Sequence, residues 1–167
     1  MITTLLLKAL RKGPLTEAPP DDLQSLTARL RGAARKKLGR SLSIRHVDAG
    51  SCNGCELEIH ALGNAFHDLE RYGFHFVASP RHADILLVTG AVTVNMQEAL
   101  RRTYEATPDP KWVVAVGGCA LDGGLFKEGT GVTGGVGQTI PIDIHVPGCP
   151  PDPKTLLAAL LALVQAA

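Results

Sequence analysis

Four cysteines stand out by the company they keep. Cys52-Asn53-Gly54-Cys55 is a close-spaced pair at the head of a helix-like stretch, Gly117-Gly118-Cys119-Ala120 sets a third cysteine among glycines, and Pro147-Gly148-Cys149-Pro150-Pro151 sets the fourth among prolines. Thiolates held rigidly in several directions by short loops are what an iron–sulfur centre needs. The dipole of a helix starting behind Cys52 and Cys55 favours thiolate. Glycines beside Cys119 allow close backbone approach, and prolines around Cys149 fix a turn while removing N–H groups that would want partners. The four are read together as one iron–sulfur site.

Three rivals use some of the same residues. A thioredoxin-like dithiol oxidoreductase also carries Cys-x-x-Cys between a strand and a helix, but it leaves Cys119 and Cys149 without a role. A structural zinc site can take four cysteines, though zinc ribbons pair two close-spaced knuckles and the last two cysteines here stand alone. Four cysteines serving only as small core residues would not sit in glycine and proline loops. Gly129-Thr130-Gly131-Val132-Thr133-Gly134 matches Gly-x-Gly-x-x-Gly, yet it precedes a strand where a dinucleotide fingerprint follows one. It is read as a flexible loop crossing the cysteine rim.

Glu56 and Glu58 flank the pair. A carboxylate beside an anionic cluster is costly unless paired, solvated or protonated, so Glu56 is a candidate proton relay; the bland alternative is that either residue complements the helix N-terminus. His60, one turn beyond Glu56, is the histidine of most interest among six, and it and the other five read as surface or partner-contact residues.

The elements that must position these residues follow from periodicity. Ile44–Asp48 is a short strand, and the cysteine loop follows it. Ile59, Leu62, Phe66 and Leu69 then mark one face of a helix stopped by Gly73. Phe74–Ala78 is a second strand, and the apolar run Ile85–Val88 a strand covered on both faces. Asn95 with Glu98 resembles a capping box for a helix reaching Pro108. Trp112–Val116 and Ile140–Val146 are further strands, and Asp152-Pro153 opens the last helix as N-cap and first residue. Alternating strands and helices predict a flavodoxin-like doubly wound parallel sheet, with Cys52/Cys55, Cys119 and Cys149 each at the carboxyl end of a strand, where such sheets gather ligands.

Charge divides the chain. Residues 1–40 carry nine Lys/Arg against three Asp/Glu, while the rest carries eight against thirteen. The first forty residues read as a basic amphipathic helical arm, with Leu5, Leu6 and Leu10 and then Leu23, Leu26 and Leu30 on apolar faces, and residues 41–167 as the folded domain. Seven aromatics and a mildly acidic body argue against nucleic acid as a partner. No secretory or twin-arginine leader and no membrane-spanning run is expected, which points to the cytoplasm, where cysteines serve metal or redox chemistry.

Cys52-Asn53-Gly54-Cys55-Glu56, the stretch Arg81 to Thr93, Gly118-Cys119-Ala120 with Gly123-Gly124, and Val146-Pro147-Gly148-Cys149-Pro150-Pro151 resemble the small subunit of membrane-bound, energy-converting [NiFe] hydrogenases of the formate hydrogenlyase and hydrogenase-4 type. The same family includes the 20 kDa iron–sulfur subunit of complex I. The resemblance covers about residues 43–164. It implies that Cys52, Cys55, Cys119 and Cys149 ligate one [4Fe–4S] cluster, proximal to an active site in a [NiFe]-type large subunit. It also implies a ferredoxin-like iron–sulfur subunit and membrane-arm subunits as partners, at the cytoplasmic face of the inner membrane. Complex I subunits have adjacent cysteines at the first site; the two-residue spacing here favours the hydrogenase branch. A complex I-like NADH/quinone oxidoreductase, or a nickel-free relative, remains the alternative.

Overall fold

The computed structural model of the protein describes residues 40–166; the basic arm expected over residues 1–40 lies outside them except for Arg40. In chain order the elements are β1 (Leu42–Asp48), α1 (Gly54–Ala61), β2 (Phe74–Phe76), β3 (Ile85–Thr89), β4 (Val92–Thr93), α2 (Val94–Ala106), β5 (Trp112–Val116), α3 (Gly118–Asp122), β6 (Val132–Gly134), β7 (Ile144–Val146) and α4 (Pro153–Ala166). Five strands form one sheet in the order β2-β1-β3-β5-β7, every pairing parallel. Counted along the chain this is 2-1-3-4-5, the flavodoxin-like order.

The apolar runs are buried on both faces because side chains alternate across a strand. Ile85, Leu87, Val114 and Val116 enter one core with Ile59, Leu62 and the leucines of α4, while Leu86, Val88, Val113 and Ala115 enter a second with Leu100 of α2 and Ala120 of α3. Asp152 caps α4, its Oδ1 accepting the Thr155 N–H at 3.0 Å, and hydrogen bonds from the Thr155 side chain and then its N–H hold the carboxyl below the usual range. Among the described residues no helix is long and apolar enough to cross a membrane.

Three expectations are corrected. The helix expected to reach Tyr72 ends at Ala61: Asn64 Oδ1 accepts the N–H groups of Phe66 and His67, both at 2.9 Å, and Asp68 takes a left-handed φ of 45° before a 3-10 turn over Leu69–Tyr72. A side-chain acceptor that satisfies two backbone donors offers the chain a way out of the helix. Ile59, Leu62 and Leu69 still reach the core, but Phe66 is exposed. Asn95 and Glu98 form no capping box; α2 starts at Val94 behind Thr93, and Glu98 instead takes Arg101 and Arg102 at helical spacing. The last sheet strand is Ile144–Val146 only, since Pro141 brings no N–H and Asp143 Oδ2 accepts the Val113 N–H at 2.7 Å.

That acid-before-strand device occurs twice. Asp84, buried just ahead of β3, accepts the Ser43 N–H at 2.8 Å on β1 and both guanidinium ends of Arg40, at 2.6 and 2.9 Å. Asp84→Ala leaves the Ser43 N–H without an acceptor, and a buried unsatisfied group costs about 1–3 kcal/mol. Arg40 is largely exposed, so Arg40→Ala should cost less, about 0.2–1 kcal/mol. Urea denaturation of the two variants checks the order; equal losses would mean that the Ser43 bond contributes nothing.

Candidate functional site

Parallel strands deliver the loops that follow them to one edge of the sheet. β1 runs into Cys52 and Cys55, β5 into Cys119 and β7 into Cys149, so the four cysteines share the carboxyl rim. Backbone hydrogen bonds continue past the strands. The Ala49 N–H reaches the Thr89 carbonyl at 3.0 Å and the Thr93 N–H reaches the Ala49 carbonyl at 2.9 Å; the Gly117 and Gly118 N–H groups reach the Val146 and Gly148 carbonyls at 2.8 and 2.9 Å. The first cysteine loop is thus tied to the segment after β3, and the Cys119 loop to the Cys149 loop.

Two glycines make the approach possible. A Cβ on Gly90, at φ +79°, would lie 2.5 Å from the Ser51 backbone nitrogen. A Cβ on Gly117, at φ +84°, would lie 2.9 Å from the Cys55 sulfur. In both places a methyl group would occupy space that a cysteine loop now fills, and positive φ is strained for any other residue.

All four thiols are free, Cys52 and Cys149 exposed, Cys55 and Cys119 half-buried. Burial, then Glu56, then Cys119, Cys52 and Cys149 push the Cys55 thiol up to about 11. Burial also raises Cys119, against a backbone hydrogen bond from Leu125 that lowers it. Each influence on Cys55 disfavours its thiolate, which nearby positive charge would favour. Among the described residues no three His, Cys, Asp or Glu side chains converge where one metal ion could sit. An all-sulfur donor set around a glycine-walled rim suits an iron–sulfur core.

Glu56 lies buried beside this rim, and neither carboxylate oxygen has a hydrogen-bond partner among the described residues. It does not cap α1. It faces a cavity of about 400 Å3 lined by Arg45, His46, His60, Ile59 and Phe76, among others. His46 Nε2 stands 3.7 Å from Glu56 Oε1 and 3.0 Å from the Thr89 hydroxyl. Burial lowers the His46 pKa despite the pull of Glu56 and Asp48. His60 is exposed on the cavity wall and Glu58 is half-buried. The glycine motif is not a free loop: Val132–Gly134 forms β6 and pairs antiparallel with β4, Thr93 opposite Val132.

Sequence reasoning passed over His46 and His145. His46 shares a face of β1 with Ile44, two residues earlier, and a polar residue on that core-facing period was the available signal. His145 Nε2 donates to the Gly117 carbonyl at 3.1 Å, a pairing between residues distant in sequence that no local pattern announces.

Residues 52–163 match the family model described as NADH ubiquinone oxidoreductase, 20 Kd subunit. The chain is 48% identical over 130 residues to a Pyrococcus furiosus protein named probable membrane-bound hydrogenase subunit mbhJ, covering 78% of each. It is 43% identical over 138 residues to formate hydrogenlyase subunit 7 of Escherichia coli, covering 83% of this chain and 54% of that longer relative. A chain in the solved structure of the membrane-bound sulfane sulfur reductase, an archaeal respiratory membrane complex, superposes with a TM-score of 0.67 at 36% identity, covering 82% of this chain and 74% of that one.

Gly90→Ala should destabilise the domain by at least about 1–3 kcal/mol, the cost of a strained backbone position, with the Ser51 clash adding to it. Thermal unfolding measures the loss; a variant as stable as the parent would show that the two loops do not need this close approach.

Proposed function

The chain belongs to the family of the NADH ubiquinone oxidoreductase 20 Kd subunit, whose members are subunits of oxidoreductase complexes, and on that footing we propose that it carries one [4Fe–4S] cluster as an electron-transfer small subunit of a [NiFe]-type hydrogenase complex. The observation that carries the proposal is the meeting of four cysteines from three strands at one rim. Cys52, Cys55, Cys119 and Cys149 would hold the cluster, which supplies one-electron transfer without a proton of its own. Gly117 keeps the wall behind Cys55 free of a side chain. The half-buried Cys55 and Cys119 limit water on the inner side, while the exposed Cys52 and Cys149 face outward.

Exposed apolar side chains flank the same loops: Leu57 at 63%, Leu121 at 49% and Leu125 at 86% relative exposure, with Phe126 beside them. A large subunit seated on this rim would cover them and shorten the electron path to its active site. Exposed Leu and Phe beside a functional loop support such a partner. A ferredoxin-like iron–sulfur subunit and membrane-arm subunits complete the proposed assembly, at the cytoplasmic face of the inner membrane, with the basic arm over residues 1–40 assigned to docking. The family's own description favours a second reading, a complex I-like or nickel-free quinone-reducing assembly. Four nickel-ligating cysteines in the partner large subunit would separate the two.

Anaerobic analysis of the purified complex should return about four iron and four sulfide per copy of this chain, assigned through its four cysteines. A colourless chain with one tightly bound zinc would overturn the proposal. Glu56 is the proposed proton carrier of the same assembly, on the strength of its unpartnered buried carboxylate and the cavity it faces. Glu56→Gln keeps the shape and removes the carried proton, so turnover should fall about 10²–10⁴-fold in a complex with its full iron content. Turnover near that of the parent would take Glu56 off the proton path.

A further inference from the structure

One peptide group at the rim is held at both ends. The Gly117–Gly118 peptide leads directly into Cys119. Its N–H, on Gly118, reaches the Gly148 carbonyl at 2.9 Å. Its carbonyl, on Gly117, accepts from His145 Nε2 at 3.1 Å. A carbonyl only accepts, so Nε2 carries the proton. The first restraint is backbone and comes with the fold. The second is the one contribution of a side chain, and it comes from the half-buried His145 on β7.

The held peptide adjoins two thiols. Gly117 is the residue whose Cβ would meet the Cys55 sulfur, and Cys119 directly follows Gly118. Glycine at both positions leaves the peptide with little intrinsic preference for its plane, so external hydrogen bonds decide which way its dipole points. Outer-shell hydrogen bonds of this kind orient ligands and set the potential of the group they surround.

We infer that His145 is a positioning residue that tunes the reduction potential of the bound cluster by fixing the Gly117–Gly118 peptide through its Nε2–H bond. The inference rests on the cluster reading above. The imidazole N–H points its positive end at the rim, where it favours the added electron. Removing it therefore lowers the potential.

The experiment is a redox titration of the complex followed by electron paramagnetic resonance. His145→Phe removes the donor and should retain the iron and sulfide content of the parent while its midpoint potential moves to a more negative value and its signal broadens. His145→Gln, whose amide places an N–H near the position of Nε2, should restore both. A phenylalanine variant with full iron content, unchanged potential and unchanged line shape would overturn the inference and leave the cluster reading intact. A parent complex without iron and sulfide would sink the cluster reading, and this inference with it, before any variant is made. If His145→Phe fails to assemble, assembly of His145→Gln supports a requirement for the donor, whereas failure of both shows a packing role and overturns the inference.

Discussion

The structure depends on one constraint: three loops far apart in sequence must meet at close quarters without colliding. A parallel sheet satisfies the first half, because every strand enters the rim from the same side. The second half falls to residues that lack a side chain at the point of contact. At Gly90 the first cysteine loop touches the segment after β3, and at Gly117 the wall of β5 touches the Cys55 sulfur. Hydrophobic burial on both faces of β3 and β5 makes the sheet stiff, and the rim inherits that stiffness through backbone bonds that run on beyond the strand ends.

Stiffness has an electrostatic cost that the same site has to meet. Burial raises the Cys55 and Cys119 thiols, and the neighbouring cysteines raise them further. The rim is therefore poorly suited to four bare thiolates and well suited to thiolates that share a cationic inorganic core. Glu56 sharpens the point. Its carboxylate adds negative charge beside Cys55, lies away from solvent, and receives no hydrogen bond from the described residues. Such an arrangement is expensive to keep unless it serves the site.

Much of this was legible in residues alone. The unbroken apolar runs at Ile85 and Trp112 named the central strands, and glycine or proline around each cysteine marked the loops that meet at the rim, because both signals are local. The misreadings share a cause. The helix predicted through Phe66 was broken by Asn64, whose side chain competes for backbone donors in a way that apolar spacing does not register. The predicted cap at Asn95 lost Glu98 to two arginines. The partnership of His46 with Glu56, and that of His145 with Gly117, depend on how the strands are ordered in the sheet. No window of the sequence contains that ordering.

The clamp of Arg40 on Asp84 lies at the amino ends of β1 and β3, while every cysteine lies at the carboxyl ends. The seven residues of β1 separate the two by about 20 Å, at roughly 3.3 Å per residue. Tension arriving along the chain ahead of Arg40 would meet that ion pair and then a strand flanked on both sides by parallel neighbours. The load would run along β1 and strain many hydrogen bonds together in shear, with no opportunity to unzip them singly. The sheet would thus act as a mechanical buffer: a pull on the chain ahead of Arg40 would be spread across the domain before it could move a sulfur atom.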